Sequence, residues 1–214
     1  MSYFDYRTVA HQAAEMGEVY RLRYKVDWLE CGYEAAADYQ DGLESDGYDS
    51  VSTHFFASEK STGNVVGTAR IIHASEKGLP ALNHCKMYKD LIPDVPMNQV
   101  GEISRLAFSK EYRRSAVEKI ICNNKIVSMA DKKEIVGLRK RYEDELVSGL
   151  YSCIYRESTE QGLTHMFAVM ADSLYLILKQ RGLEFKPVGP KIDYHGLRRP
   201  YIAAIEDNMH CFEE

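Results

Sequence analysis

Long apolar runs are missing from this chain of 214 residues, and none approaches the ~20 residues that a membrane span requires. The first residues, Met1 to Tyr6, also lack the basic start and the long apolar centre of a signal peptide. We therefore expect a cytoplasmic protein without a membrane span. Internal repeats and low-complexity linkers are absent too, which favours a single domain over residues 1–214.

Paired cysteines are equally scarce. The five cysteines lie far apart with no Cys-x-x-Cys pair, and the seven histidines show no ligand spacing. Zinc sites and disulfide frameworks depend on such spacing, so we predict reduced cysteines and no metal.

The chain has no surplus of positive charge. It contains 27 Lys and Arg against 32 Asp and Glu, which gives a formal net charge of −5. Binding to phosphates needs a positive contacting face, so the composition argues against a nucleic-acid partner.

What the chain does contain is an ordinary globular composition, 45% hydrophobic and 28% charged. In the first half of the chain, residue patterns predict a helix over 9–26, strands over 53–58 and 65–73, an irregular segment over 74–98 with a short helix near 87–91, and a strand over 100–108. In the second half they predict a helix over 112–129, a charged connector over 132–141, a helix over 142–161, a strand over 163–171, a helix over 173–181, and strands over 183–188 and 200–205. This order predicts an α/β fold, a mixed central sheet with helices on both faces.

Charged residues inside the predicted strands are the most informative feature. Arg70 interrupts an apolar strand, and Glu102 and Arg105 interrupt another. Buried charges are costly unless they are paired. Glu102 and Arg105 therefore either pair within the core or face a cleft where chemistry takes place. Arg23 in the first helix and an acidic loop around Glu44 supply further partners.

Four short motifs in this region resemble a known signature. They are Leu22-Arg23-Tyr24-Lys25-Val26, Glu44-x-Asp46-x-x-Asp49, Val66-Gly67-Thr68-Ala69-Arg70-Ile71 and Glu102-x-Ser104-Arg105. In order and spacing they resemble the acyl-homoserine-lactone (autoinducer) synthases, the N-acyl amino acid synthases and the acyltransferases of the exosortase (PEP-CTERM) system. The resemblance covers about half of the chain and implies the N-acetyltransferase (GNAT) fold.

The C-terminal part distinguishes between these branches. Tyr194-His195-Gly196 with Arg198 and Pro200 resembles the ending of the exosortase-linked and N-acyl amino acid branch. Where the autoinducer family has a Phe and a Trp after the first-helix arginine, this chain has Asp27 and Tyr33. Those aromatic residues shape the pocket for S-adenosylmethionine in that family, so the resemblance favours an amino acid as the substrate.

The resemblance implies that an amine attacks an acyl thioester, and an ammonium must first lose a proton to a general base. Glu102 is the first candidate for the catalytic base and Glu44 is the second. A strand carboxylate among apolar side chains can have the raised pKa that this role needs. The alternative for Glu102 is a buried ion pair with Arg70 or Arg105.

The remaining charged residues are candidates for substrate binding. Asp46 and Asp49 either bind the ammonium of the acceptor or cap turns of the loop. Arg23 and Arg70 either grip a carboxylate with a bidentate fork or neutralise the acidic loop. The third-strand motif adds Ser104 and Arg105 to the predicted substrate-binding set, and a backbone N–H from the Arg105 to Phe108 stretch would stabilise the oxyanion.

The predicted site for the acyl donor follows the third strand. Phe108, Lys110, Arg113 and Arg114 stand where GNAT enzymes bind the pyrophosphate of coenzyme A, but the usual glycines are missing. We therefore expect no tightly bound cofactor, and a phosphopantetheine thioester on an acyl carrier protein rather than on coenzyme A. Residues 110–141 carry ten basic and four acidic side chains, which form either a docking face or a solvated helix surface.

The proton donor for the leaving thiol stays unassigned. In the place of the usual GNAT tyrosine the chain has Leu178, with Tyr175 one turn earlier.

Taken together, the resemblance and the residues predict an N-acyltransferase that moves a fatty acyl group from acyl carrier protein to the amine of an amino acid. Its alternatives are an acyl-homoserine-lactone synthase that uses S-adenosylmethionine and a non-catalytic GNAT-like binding protein.

Overall fold

A computed structural model describes residues 2–26, 39, 41–109, 129–194 and 196–212, without the side chains of 129–136, 138 and 139. The strands are β1 Phe4–Val9, β2 Ser52–Glu59, β3 Val65–His73, β4 Val100–Phe108, β5 His165–Met170, β6 Lys186–Pro187, β7 Ile192–Asp193 and β8 Leu197–Ala204. The helices are α1 Met16–Tyr24, α2 Pro80–His84, α3 Met129–Glu160, α4 Asp172–Gln180 and α5 Ile205–Met209, with 3₁₀ turns at Asp49–Val51, Lys89–Leu91 and Met97–Gln99.

The strands form one mixed sheet in the order β1-β2-β3-β4-β5-β8-β6, and β7 pairs with the start of β8. β1 to β4 run antiparallel to their neighbours, β4 and β5 are parallel, and β5 and β8 are antiparallel. The predicted α/β class with a mixed sheet is confirmed.

Helices cover both faces of this sheet, as predicted. Phe55 belongs to a core with Leu150 and Ile154 of α3, whereas the next residue, Phe56, packs with Met16 and Val19 of α1. Successive side chains of a strand point to opposite faces, so α1 and α3 lie on opposite sides.

The first strand, β1, is absent from the prediction, and the helix predicted over 9–26 begins only at Met16. β1 is an edge strand in which Phe4 alone is fully buried. With one buried residue in six, the alternation that signals a strand is too weak to read from sequence.

The predicted connector over 132–141 is wrong, because α3 runs without a break from Met129 to Glu160. Lys, Arg and Glu are good helix formers, so a highly charged segment extends a helix readily.

The predicted strand over 183–188 is reduced to Lys186–Pro187, and the segment near 87–91 holds a 3₁₀ turn. The helix predicted over 112–129 lies outside the described residues except at its end.

Two irregularities of β4 shape the middle of the sheet. β4 pairs with β5 from Val100 to Ile103 and then leaves it, while β4 continues along β3 and β5 continues along β8 to Met170. The two parallel strands therefore diverge after Ile103 and open a gap.

The second irregularity is a β-bulge against β3. Thr68 pairs with Ala107 and Arg70 pairs with Ser104, so Arg105 and Leu106 together oppose Ala69. Arg105 has a φ of 51°, in the left-handed region that few residues other than glycine adopt. In a regular strand Ser104 and Arg105 would face opposite sides, but the bulge turns both toward the face of α1.

Within the described ranges, no helix combines the length and the apolar character needed to cross a membrane.

Candidate active site

The innermost part of the site is an ion-pair cluster around Arg23. The Arg23 side chain is 0% exposed, and it donates to Glu44 through Nε and to Asp49 Oδ1 at 2.7 Å through Nη1. α1 supplies the arginine, and the loop before β2 supplies both acids. The loop is thereby fixed to the helix through charge-assisted hydrogen bonds.

Arg70 of β3 links the same loop to the sheet. Its Nη1 donates to Asp46 Oδ1 at 2.7 Å and to Asp49 Oδ1 at 2.6 Å, and its Nη2 donates to Asp46 Oδ2 at 2.7 Å. Its Nε donates to the hydroxyl of Ser104 at 2.8 Å. Arg70 and Asp46 thus form a bidentate pair that lysine could not reproduce.

The bulge allows Arg105 to join the cluster. Its Nε lies 3.0 Å from Glu44 Oε1 and its Nη2 lies 3.1 Å from Asp46 Oδ2. Three arginines and three carboxylates therefore interlock, and each acid contacts two arginines. The acidic loop therefore supplies the partners that the arginines of the strands require.

The arginines fix the charge states of the acids. Burial alone would raise the pKa of Asp46, but the hydrogen bond and the charge of Arg70 outweigh it and hold that pKa well below its usual range. For Asp49, the charges of Arg23 and Arg70 likewise overcome burial and lower the pKa. Both carboxylates therefore stay ionised at neutral pH.

A cavity of about 350 Å³ opens at the divergence of β4 and β5. Its walls include five of the predicted site residues: Asp46, Arg70, Glu102, Ser104 and Arg105.

Three other predicted residues lie behind this cavity. Arg23, Glu44 and Asp49 are buried against one another and do not line it. Their contacts match the alternative interpretation, in which the arginine neutralises the acidic loop and holds it on the sheet. Glu44 as the second catalytic base and Arg23 and Asp49 as substrate-binding residues stay predictions that this geometry does not favour.

Glu102 differs from every other acid in the site. It is 3% exposed and lines the cavity, and its Oε2 accepts a hydrogen bond from the backbone N–H of Ala81 at 2.7 Å. Among the described residues it has no ion pair within 4.0 Å, so the alternative of a buried pair with Arg70 or Arg105 is not what the structure contains. Burial raises the pKa of Glu102 to about 7, although the Ala81 N–H and the charge of Arg70 oppose it.

Several residues around Glu102 are not among the predicted site residues. Tyr48, Tyr194 and Arg198 line the cavity, and Ala81 at the start of α2 binds the carboxyl group. Tyr194 and Arg198 belong to the C-terminal motif that resembles the N-acyl amino acid branch, and that motif was the signal for them. Ala81 acts through its backbone, which leaves no signature in the side-chain pattern.

The predicted donor-binding residues are described only in part. Phe108 ends β4 and packs against the main core, outside the cavity lining. Lys110, Arg113 and Arg114 lie outside the described residues, as does His195 of the C-terminal motif. In the part of the chain that the structure describes, no group of three or more His, Cys, Asp or Glu side chains is arranged to hold a metal ion.

Residues 22–123 match the family described as acetyltransferase (GNAT) domain. This match begins at the end of α1 and extends past β4, and it includes the six residues of the ion-pair cluster together with Glu102 and Ser104. It confirms the predicted GNAT fold and the predicted acyltransferase class. No curated protein matches the chain.

Solved structures with the same fold extend over nearly the whole chain. TofI, in a ternary complex with an inhibitor and MTA, is 14% identical with a TM-score of 0.63, over 99% of this chain and 96% of TofI. The CoA-dependent acyl-homoserine lactone synthase BjaI, with SAM and isopentyl-CoA, is 14% identical with a TM-score of 0.62, over 97% and 89%. FeeM, an N-acyl amino acid synthase from uncultured soil microbes, is 12% identical with a TM-score of 0.57, over 95% and 90%.

Proposed function

We propose that this protein transfers a fatty acyl group from a phosphopantetheine thioester to the amine of an amino acid. The observation that carries the proposal is the Glu102 carboxyl group, which is buried, has no counter-ion among the described residues, and lines a cavity where two parallel strands diverge. A purely structural acid at this position would be expected to have an arginine partner, as the three neighbouring acids have.

Glu102 acts as the general base in this proposal. With a pKa of about 7, it is substantially deprotonated at neutral pH and still basic enough to accept a proton from the ammonium group of the amino acid. The nitrogen lone pair then forms the C–N bond, and the C–S bond of the thioester breaks with its electron pair going to sulfur. The nitrogen then loses a second proton to solvent water, which gives the amide.

The acceptor is bound by the members of the ion-pair cluster that reach the cavity. The side chains of Asp46 and Arg105 are each 24% exposed, whereas those of Arg23, Glu44 and Asp49 are fully buried. Asp46 offers a carboxylate to the ammonium of an amino acid, and Arg105 offers a guanidinium to its carboxylate. The buried members hold these two in place.

The thioester enters through the gap between β4 and β5. Ser104, Arg105 and Leu106 form one wall, and Val169, Met170 and Ala171 form the other. We assign the oxyanion site to a backbone N–H of the Arg105 to Phe108 stretch, which begins at the bulge. We propose acyl carrier protein and not coenzyme A as the carrier of the acyl group, because the glycines that usually bind the coenzyme A pyrophosphate are missing after Phe108.

Synthesis of an acyl-homoserine lactone is the second candidate function. BjaI, which shares the fold, is an acyl-homoserine lactone synthase whose structure contains SAM and isopentyl-CoA. The same Asp46 and Arg105 pair could bind the amino acid portion of S-adenosylmethionine, so the acceptor decides between the two activities.

One experiment separates these functions. The protein is incubated with dodecanoyl acyl carrier protein or with dodecanoyl-CoA, each with a mixture of the twenty amino acids or with S-adenosylmethionine, and the products are analysed by mass spectrometry. We expect an N-dodecanoyl amino acid, formed faster from the carrier protein. An acyl-homoserine lactone would support the second candidate, and the absence of any acyl product in all four reactions would support a non-catalytic binding protein.

A further inference from the structure

Tyrosine side chains reach the cavity of the candidate active site from three elements. Among the described residues, Tyr48, Tyr151 and Tyr194 line it. The position at which GNAT enzymes usually have a tyrosine is occupied by Leu178, which is fully buried in the core. Tyr175, one turn earlier, stacks on Tyr201 with ring centroids 4.8 Å apart and does not line the cavity. The conventional position therefore supplies no proton donor here.

Tyr194 is held by a short hairpin at the cavity edge. It follows β7 directly, and its backbone N–H donates to the carbonyl of Gly196 at 3.0 Å. The N–H of Gly196 donates to Asp193 Oδ1 at 3.2 Å, and Gly196 has a φ of 96°, which requires glycine. The backbone N–H groups of Tyr194 and Gly196 are thus both held by hydrogen bonds.

The ring of Tyr194 is fixed by the same short helix that binds Glu102. His84 at the end of α2 stacks on Tyr194 with ring centroids 6.0 Å apart and an angle of 24°. Ala81 of the same helix donates its N–H to Glu102. α2 therefore positions the proposed base and Tyr194 relative to each other.

Of the other two cavity tyrosines, Tyr48 has a hydrogen-bond partner on α2 and Tyr151 belongs to the main core. The hydroxyl of Tyr48 accepts a hydrogen bond from Asn83 Nδ2 at 3.3 Å, on the exposed end of α2. Tyr151 is 2% exposed, and burial raises its pKa, with Arg181 as the one opposing charge. Arg181 pairs with Asp144, away from the cavity lining.

Charge also connects Tyr194 with Glu102. Burial raises the pKa of Tyr194, and the negative charge of Glu102 raises it further, while Arg105 opposes both. Tyr194 therefore keeps its proton at neutral pH and is available as an acid when negative charge develops nearby.

Resting on the proposed function, we infer that the Tyr194 hydroxyl is the general acid that protonates the leaving thiolate of the acyl donor. As the C–S bond breaks, sulfur takes the electron pair and the phenolic proton, which gives the free thiol. The phenolate then recovers a proton from the Glu102 carboxyl group through the water of their common cavity. Glu102 received that proton from the amine, so both groups return to their starting states.

The test compares Tyr194→Phe with wild type using two donors, dodecanoyl pantetheine and S-phenyl thiododecanoate, with the amino-acid mixture as acceptor. Phenylalanine keeps the ring that stacks on His84 and removes only the hydroxyl. An alkyl thiolate, with a pKa near that of cysteine at about 8.5, gains from protonation, whereas a thiophenolate leaves readily without it. We expect kcat to fall about 10²-fold with the pantetheine donor, at the low end of general-acid effects, and less than about 3-fold with the phenyl donor.

Tyr175→Phe serves as the matched control, because it removes a tyrosine hydroxyl outside the cavity. We expect it to retain wild-type kcat with both donors. An equal loss for Tyr194→Phe with both donors, a loss confined to KM, or full activity would overturn the assignment of Tyr194 and leave the acyltransferase function intact. Absence of product from the wild-type protein with every donor and acceptor would overturn both.

Discussion

At the scale of single residues, the site contains two kinds of buried charge. Arg23, Arg70 and their carboxylate partners are saturated with charge-assisted hydrogen bonds. Glu102 has one backbone hydrogen bond and no described counter-ion. The first kind stabilises the arrangement of the loop and the sheet, while the second leaves a proton-binding group available at the cavity.

Removing Arg23 should be strongly destabilising. In Arg23→Ala, Glu44 loses one of its two arginines and Asp49 keeps only Arg70, so buried negative charge is left under-compensated. Breaking a buried pair in this way costs about 3–5 kcal/mol, which urea unfolding measures.

Arg21 on the same helix is the matched control. Its side chain is 61% exposed, and its one ion-pair partner in the described part of the chain is the equally exposed Glu18. Arg21→Ala should change the free energy of unfolding by less than about 1 kcal/mol. Similar effects from both variants would contradict the structural role given to Arg23.

Glu102→Gln should not destabilise the protein at alkaline pH. Because the folded state raises the pKa of Glu102 from 4.5 to about 7, it binds the proton more tightly than the unfolded state does. The stability that Glu102 contributes is therefore present below pH 4.5 and is lost as pH rises toward 7. At about pH 8 the glutamine variant should be more stable than wild type, by at most about 3 kcal/mol.

Thermal unfolding of both proteins at about pH 5 and about pH 8 measures this difference. Glu76→Gln, which changes an exposed glutamate on the loop before α2, is the control for the loss of a carboxylate and should leave both values unchanged. A glutamine variant at position 102 that is less stable than wild type at about pH 8 would indicate a structural ion pair instead.

At the scale of elements, the close approach of α3 to β1 depends on one glycine. A Cβ at Gly149 would lie 2.1 Å from Cζ of Tyr6, and the Tyr6 hydroxyl donates to the carbonyl of Glu145 at 2.8 Å. The ring cannot move away without losing that hydrogen bond. Gly149→Ala should therefore lower the free energy of unfolding by about 1–3 kcal/mol, as overpacking does, which urea unfolding measures.

Gly137 on the same helix gives the opposite prediction. A Cβ there meets nothing within 4 Å. Because α3 is continuous through this position, Gly137→Ala should stabilise the protein by about 0.5–1 kcal/mol, since alanine is the better helix former. No gain, or a loss, would favour the connector that the sequence patterns predicted over 132–141.

Strands that form short, mostly buried apolar runs could be predicted from the sequence. β3 and β4 are of this kind, since most of their residues are buried. β1 could not, because its pairing with β2 at the sheet edge buries little apolar surface. The bulge at Arg105 was also invisible, since nothing in a strand sequence shows where two residues oppose one.

At the scale of the whole molecule, the candidate site was predictable wherever a charge interrupts an apolar strand. Arg70, Glu102 and Arg105 stood out for this reason, and the acidic loop supplied the expected partners. Sequence could not show which members reach the cavity, because this depends on the divergence of β4 and β5. Nor could it show that Tyr194 contacts His84 of α2, because about 110 residues separate the two in the sequence.

The central claim is that Glu102 is the general base of an acyl transfer, and the pH dependence of kcat/KM for wild type and Glu102→Gln tests it most directly. The ammonium of the acceptor ionises equally in both reactions, so the ratio of the two values isolates Glu102. We predict that the ratio reaches about 10² or more above pH 7 and falls about tenfold per pH unit below it. A ratio that stays near one from about pH 5.5 to about pH 9 would contradict the account.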